Sequence, residues 1–120
     1  MARINQRTGE VELLDENGAL MWAGKPLGCD ARAVLPIDGT NDVVVLLNPD
    51  SGGNGPFRNL LRLAQSGAIV WQADLPTRDR ADAYMKVRWQ GNRLVANSWS
   101  TYLVELDEED GRIVNKTFTK

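Results

Sequence analysis

A turn glycine recurs three times in this chain, each time between two apolar stretches. Gly18, Gly67 and Gly111 lie 49 and 44 residues apart. In the first two units a tryptophan follows four residues after the glycine, at Trp22 and Trp71. A repeat of about 40–50 residues is the length of one small sheet in a repeating architecture. The chain is therefore predicted to consist of similar hairpins.

Turn signals divide the rest of the chain into short extended segments. Asn17-Gly18 lies between apolar runs and predicts a hairpin with a type I′ turn, in which both residues have positive φ. Val43–Leu47, VVVLL, is too continuously apolar for a half-exposed strand and is expected to be covered on both faces. The chain is predicted to be all-β, an antiparallel meander of about eleven short strands. Residues 77–82, TRDRAD, are expected to form a solvated link.

Residues 58–64 fit both a helix and a strand. Apolar residues at helical spacing begin at Phe57, whereas Leu61 and Leu63 alternate with Arg62 as they would in a strand. The strand is favoured because the next segment, AIVWQADL, also alternates and would fold back through a Gln-Ser-Gly turn.

Length and composition describe one soluble domain. The chain has 120 residues, of which 42% are hydrophobic and 25% charged, as in globular proteins. We expect a single β domain over 1–120, with repeat-like units at about 4–24, 31–75 and 83–119. No apolar run is long enough to span a bilayer. The N-terminal segment lacks the apolar block of a secretory signal, so a cytoplasmic protein without a membrane partner is expected.

The side chains that are missing exclude several chemistries. The sequence contains no histidine, which removes Ser–His–Asp and Cys–His catalysis and histidine-ligated zinc. Its one cysteine, Cys29, cannot form an internal disulfide. A net charge of −2 gives no long-range attraction for a polyanion, so nucleic acid is not expected as a partner.

Three segments carry a resemblance to a known repeat. LLDENGALMW, LRLAQSGAIVW and VELDEEDGRIVN resemble the outer hairpins of the PQQ-like β-propeller repeats of quinoprotein dehydrogenases, whose pattern is approximately L-x-x-D-x-x-T-G-x-x-x-W. Asp15 and Asp107 match the aspartate, the three turn glycines match the glycine, and Trp22 and Trp71 match the tryptophan.

The second and third segments depart from this pattern. Ala64 replaces the aspartate in the second segment, and Asn115 replaces the tryptophan in the third. The first two turns are also one residue shorter than in the quinoprotein repeats. The resemblance concerns the fold, and it implies that the tryptophans pack between neighbouring blades.

The resemblance implies partial, propeller-like blades. Segments 31–75 and 83–119 supply four strands each, and the N-terminal segment supplies three. Propellers have about four to eight blades, so this chain leaves sheet edges open. Either two copies pair as a homodimer and complete a ring, or the strands close into a small β-barrel or sandwich. Quinoprotein enzymes hold their cofactor with a ring of charged ligands around calcium in far longer chains, so no cofactor is expected.

Two segments supply candidate binding residues. NSWSTY, at residues 97–102, combines aromatic and small polar side chains, as adaptable recognition surfaces do. The loop NPDSGGNGP, at residues 48–56, offers oxygen ligands, although the same residues also form ordinary turns. No metal site and no catalytic residue are assigned. The candidate binding residues are Trp99, Tyr102, Asn97, Arg88, Asp50 and Asn54.

Two functions follow from these features. The first is a non-catalytic protein-binding module on a propeller-like β scaffold, favoured because the usual catalytic side chains are missing. The alternative is a binder of small molecules or carbohydrates, including a hydrolase that uses paired carboxylates.

Overall fold

The computed structural model describes residues 1–53 and 55–119, which contain eleven strands in three antiparallel sheets. The first sheet contains β1 (Ala2–Ile4), β2 (Val11–Leu14) and β3 (Leu20–Gly24). The second contains β4 (Ala31–Pro36), β5 (Val43–Leu47), β6 (Leu60–Leu63) and β7 (Ile69–Gln72). The third contains β8 (Tyr84–Gln90), β9 (Arg93–Ser98), β10 (Tyr102–Leu106) and β11 (Ile113–Phe118). Short 3-10 helices span Pro26–Gly28 and Pro49–Gly52.

Within each sheet, strands pair in the order in which they occur along the chain. This confirms the all-β meander, and the three sheets stay open instead of closing into the barrel or sandwich that was the alternative. Residues 58–64 contain a strand, as favoured. In that strand Leu61 pairs with Val45 of β5, and Arg62 pairs with Trp71 of β7, so backbone partners on both sides exclude a helix.

The first hairpin forms as predicted, but its turn type was predicted wrongly. Among the described residues other than glycine, positive φ occurs only at Leu27 and Thr101, so Asn17 is not in a type I′ turn. The loop is instead closed by a bond from the Asp15 N–H to the Ala19 carbonyl, and only Gly18 has positive φ, at 81°. The Asp15 carboxylate accepts the N–H groups of Asn17 and Ala19, each at 2.8 Å, and stabilises this wider turn.

The middle sheet is buried on both faces, as VVVLL predicted. One apolar cluster joins alternate residues of β5 to β2, with members Val43, Val45, Leu47, Val11 and Leu13. A second cluster joins the other residues of β5 to β9 and β10, with members Val44, Leu46, Leu94, Ala96 and Val104. All five residues of β5 are buried. Because β5 belongs to both clusters, it connects the two outer sheets through the core. Burial of each such side chain stabilises the fold by about 1.5–3 kcal/mol relative to exposure.

Tryptophans on the outer strands pack against the turn glycines of the next sheet. A Cβ atom placed on Gly67 would lie 2.3 Å from the indole of Trp22, and one placed on Gly111 would lie 2.6 Å from the indole of Trp71. The Trp71 Nε1 also donates to the carbonyl oxygen of Glu108 at 2.7 Å. The tryptophans therefore pack between the sheets, as the repeat implied.

Buried polar groups connect the second and third sheets. Asn59 is 0% exposed, and its Nδ2 donates to the carbonyl oxygens of Leu47 at 2.9 Å and Tyr84 at 2.7 Å. Its Oδ1 accepts the Tyr84 N–H at 2.8 Å, so the amide pairs with the backbone of β8 much as another strand would. The Tyr84 hydroxyl donates to the Asp74 carbonyl at 2.5 Å, and burial raises the pKa of this phenol.

Replacing Gly111 by alanine is expected to destabilise the protein more than replacing Gly18. Both residues have positive φ, 76° and 81°, so both substitutions carry a backbone cost of about 1–2 kcal/mol. Only the Gly111 Cβ would overlap a neighbouring indole, that of Trp71, because the position above Gly18 is open. Overlap in a packed site adds about 1–3 kcal/mol. Urea unfolding followed by circular dichroism would measure the difference, and equal losses would contradict the packing argument.

Candidate functional site

The structure places the predicted binding residues in three separate locations. Trp99 and Asp50 line one cleft, while Asn54 lies outside the described residues. Arg88 and Asn97 lie together on the outer face of the third sheet, where the Arg88 Nη1 donates to the Asn97 Oδ1 at 3.1 Å. The cleft is the location with the most complete set of converging groups.

Tyr102 lies in the third location, on the face of the third sheet that packs toward the second. Its ring meets Phe118 edge-on at 5.4 Å, and the Lys116 ammonium lies 5.4 Å from its ring centroid. It belongs to the margin of the apolar cluster between these two sheets. Tyr102 therefore contacts its neighbouring strand rather than the cleft at Trp99.

The cleft lies between the loop that follows β5 and the turn that joins β9 to β10. Its volume is about 410 Å³. The residues that line it include Asp50, Phe57, Arg80, Asp82, Met85 and Trp99. The Trp99 side chain is 52% exposed, so a large apolar surface faces solvent at this cleft.

A buried carboxylate holds the turn that carries Trp99. Asp82 is 0% exposed, and its Oδ1 accepts the N–H groups of Ala83 at 3.0 Å and Ser100 at 3.2 Å. Its Oδ2 accepts the hydroxyls of Thr77 at 2.6 Å and Ser100 at 3.0 Å. Four donors compensate for the burial of this charge. The carboxylate therefore ties the 77–83 link to the β9–β10 turn.

The turn itself has an unusual backbone. Thr101 has a φ of 70°, which is a rare conformation for a β-branched residue. Such a conformation persists only where the surroundings determine it, and here the Trp99 N–H also donates to the Ala83 carbonyl at 2.8 Å. The turn is consequently a rigid support that holds the indole in solvent.

The opposite wall of the cleft is attached to the same link. The Phe57 N–H donates to the Asp82 carbonyl at 3.0 Å, and Phe57 forms a parallel bridge with Ala83. A Cβ atom on Gly52 would lie 2.5 Å from Phe57, so the 3-10 helix can approach this ring only because residue 52 is glycine. Both walls therefore keep a fixed separation.

The cleft offers groups that bind rather than react. Asp50 and Arg80 are exposed and of opposite charge, so either can form a charge-assisted hydrogen bond with a ligand. The carboxylate oxygens of Asp82 are already occupied by internal donors. Within residues 1–53 and 55–119, no group of three His, Cys, Asp or Glu side chains is arranged to hold a metal ion.

Several cleft residues were missed by sequence analysis. Residues 77–82 were predicted to be a solvated link, but Asp82 is buried and Arg80 lines the cleft. The sequence of the charged run TRDRAD does not distinguish Asp82 from its exposed neighbours, because the burial of its carboxylate depends on hydrogen-bond donors elsewhere in the chain. Met85 lies at the start of β8, where a bulge interrupts the pairing with β9, and the strand pattern contains no sign of this.

Comparison with known proteins gives a family and a fold. Residues 30–118 match the family described as "Domain of unknown function (DUF7957)", and no curated protein matches the chain. BamB from Moraxella catarrhalis, a PQQ-like β-propeller, superposes with a TM-score of 0.63 at 19% identity, covering 98% of this chain and 32% of BamB. The computationally designed Ika8 protein superposes with a TM-score of 0.61 at 13% identity, covering 93% and 31%.

These superpositions support the propeller-like fold at the level of architecture. The chain spans about a third of the length of either structure. Among the described residues, no helix has the length and apolar character needed to cross a membrane.

Replacing Asp82 by alanine is expected to reduce the free energy of unfolding by about 3 kcal/mol, because the buried Ala83 N–H and the half-buried Ser100 N–H lose their acceptor, at about 1–3 kcal/mol each. Asp79→Ala is the matched control, since the exposed carboxylate of Asp79 accepts a single hydrogen bond from the described residues, that of the Ala81 N–H at 2.9 Å. This control is expected to lose less than about 1 kcal/mol. Guanidinium unfolding would measure both variants, and similar losses would refute the positioning role of Asp82.

Proposed function

This chain belongs to the DUF7957 family, and we propose that it is a non-catalytic module that binds a protein partner through the cleft at Trp99. The observation that carries this proposal is the exposure of Trp99, at 52%, on a turn fixed by a buried carboxylate. A large apolar side chain held rigidly in solvent loses little conformational entropy when a partner covers it.

The residues around Trp99 have the composition of a protein interface. Tryptophan, arginine and methionine are enriched in such interfaces, and Arg80 and Met85 line the same cleft as Trp99. Tryptophan and arginine also dominate the positions that lose most affinity when truncated. Asp50, on the opposite wall, adds a charge that can set the orientation of a partner.

The scaffold also supports a binding role. Loops that extend from a rigid framework commonly carry recognition residues, and both walls of this cleft are loops at the ends of strands. BamB shares the fold, which supports a scaffold role through structural similarity. A cytoplasmic location and the pairing of two copies remain predictions, and the mass in solution would test the pairing.

A small-molecule or carbohydrate ligand is the second candidate. The cleft volume of about 410 Å³ falls within the range of small-ligand sites, about 300–1,000 Å³. An exposed indole beside an aspartate and an arginine offers a stacking surface with polar groups at its margin. A carboxylate-based hydrolase has less support, because Asp82 is committed to internal hydrogen bonds.

Trp99→Ala is expected to weaken partner binding without unfolding the protein. Immobilised wild-type chain would capture a partner from cytoplasmic extract, and the purified partner would then be titrated against each variant. A central interface tryptophan is worth about 2 kcal/mol or more, so its affinity should fall about 30-fold. Val114→Ala is the control, because Val114 is 50% exposed on β11 and does not line the cleft.

Two results would contradict this assignment. If Trp99→Ala unfolds the protein, the indole is a packing residue. If the partner binds this variant as tightly as it binds the wild type, the interface lies elsewhere.

Thermal-shift measurements with oligosaccharides and metabolites test the second candidate. A true ligand at about 100 times its dissociation constant stabilises the protein by about 2.7 kcal/mol, which raises Tm by several degrees. The shift should disappear in Trp99→Ala and persist in Val114→Ala. A panel without any Tm shift would favour the protein partner.

A further inference from the structure

The outer face of the third sheet differs from the equivalent faces of the other two. In the last hairpin of the first two sheets, a β-bulge follows a cross-strand pair of residues that faces the next sheet along the chain. This pair is Leu13 with Trp22 in the first sheet and Arg62 with Trp71 in the second. The equivalent pair in the third sheet is Glu105 with Asn115. An exposed asparagine therefore stands where the first two sheets have their packing tryptophan, so this face is not adapted to a further sheet.

Strand alternation places the basic residues of β8 and β9 on this outer face. Val87 and Trp89 pair with Ala96 and Leu94 on the inner side. The intervening residues of β8 and β9 point outward, and the charged or amide-bearing ones are Lys86, Arg88, Gln90, Arg93 and Asn97. All of these except half-buried Asn97 are exposed.

The outer face has a positive charge although the chain is acidic overall. Three cations, Lys86, Arg88 and Arg93, share it with one carboxylate, Glu105, which lies 3.7 Å from Arg93. The face therefore has a local excess of two positive charges, whereas the whole chain has a net charge of −2. Within residues 1–53 and 55–119, the ion pairs include neither Arg88 nor Lys86, and Arg88 is oriented by Asn97.

An apolar floor lies beneath these charges. Val95, at 4% exposure, is paired with Arg88 on one side and Glu105 on the other. The aliphatic parts of long basic side chains can cover such a residue while their charged ends reach solvent. A polypeptide that crosses this face would meet the guanidinium group of Arg88 beside Val95 and that of Arg93 two residues away along β9.

We propose that the outer face of the third sheet binds an acidic segment of another protein. Charge complementarity selects this partner, because guanidinium groups pair with carboxylates through two parallel hydrogen bonds. A nucleic acid is disfavoured because the outward residues of β8 and β9 include no aromatic side chain on which bases could stack. This surface is independent of the cleft at Trp99, since none of its cations lines that cleft.

A labelled peptide of about ten residues with alternating glutamate and threonine, long enough to cross the sheet, is a suitable probe. Fluorescence anisotropy at low salt should show binding that weakens as salt rises. Arg88→Glu should reduce the affinity about tenfold or more. Arg32→Glu, which makes the same charge change at an exposed position on β4, should change it less than about twofold.

Other outcomes would overturn the proposal. These are equal weakening by both variants, equal binding of a peptide with glutamine in place of glutamate, and tighter binding of an oligonucleotide. A wild-type dimer that Arg88→Glu dissociates, seen by sedimentation, would assign this face to a second copy instead. Trp99→Ala should leave peptide binding unchanged, which separates this result from that of the cleft.

Discussion

The contact between an indole on one sheet and a turn glycine on the next is the interaction on which the arrangement of the sheets depends. The turn needs a residue with positive φ, and the indole needs a neighbour without a Cβ. Gly67 and Gly111 satisfy both requirements at once, because a Cβ atom at these positions would lie 2.3 and 2.6 Å from the indole and leave no space for a larger residue. The same position in the first sheet, Gly18, needs only the turn conformation, because no indole lies above it.

Because each indole packs against the sheet that follows it in the chain, the three sheets form a stack whose two ends differ. The middle sheet contributes apolar residues from both faces, whereas each terminal sheet buries only one face. On the outer side of the first sheet, the Arg3 Nε and the Glu12 Oε1 form an ion pair at 2.6 Å, and this hydrogen bond lowers the pKa of Glu12. Terminal units of repeat proteins commonly carry polar outer faces, because an apolar face would associate with other chains.

Two fully buried polar side chains connect this stack to its candidate site. Asn59 fixes the start of β8 against the second sheet, and Asp82, two residues before Tyr84, fixes the link and the turn of Trp99. The candidate binding residues of the cleft are thus held by the scaffold although they lie on loops. A fixed cleft with an exposed indole is suited to binding, because its geometry exists before a partner arrives.

Local patterns were sufficient to predict much of the architecture. The repeated glycines and VVVLL are patterns within single hairpins or strands, so strand number and the covered middle strand could be predicted from them. The inter-sheet role of Trp22 and Trp71 was implied by the resemblance to PQQ-like repeats. The type I′ turn was wrong because the carboxylate of Asp15 stabilises a wider loop, and sequence alone does not rank these competing turns.

Only the tertiary structure determined the sites. NSWSTY was one candidate patch, but β9 ends at Ser98 and β10 begins at Tyr102, so its side chains lie on different faces. The burial of Asp82 depends on donors as distant as Ser100, and the cleft depends on two sheets that meet there. The sequence by itself determined the repeat, because each repeat unit can be identified from residues that are close together in the chain. The packing of distant segments decided which polar side chains became buried supports and which remained available to a partner.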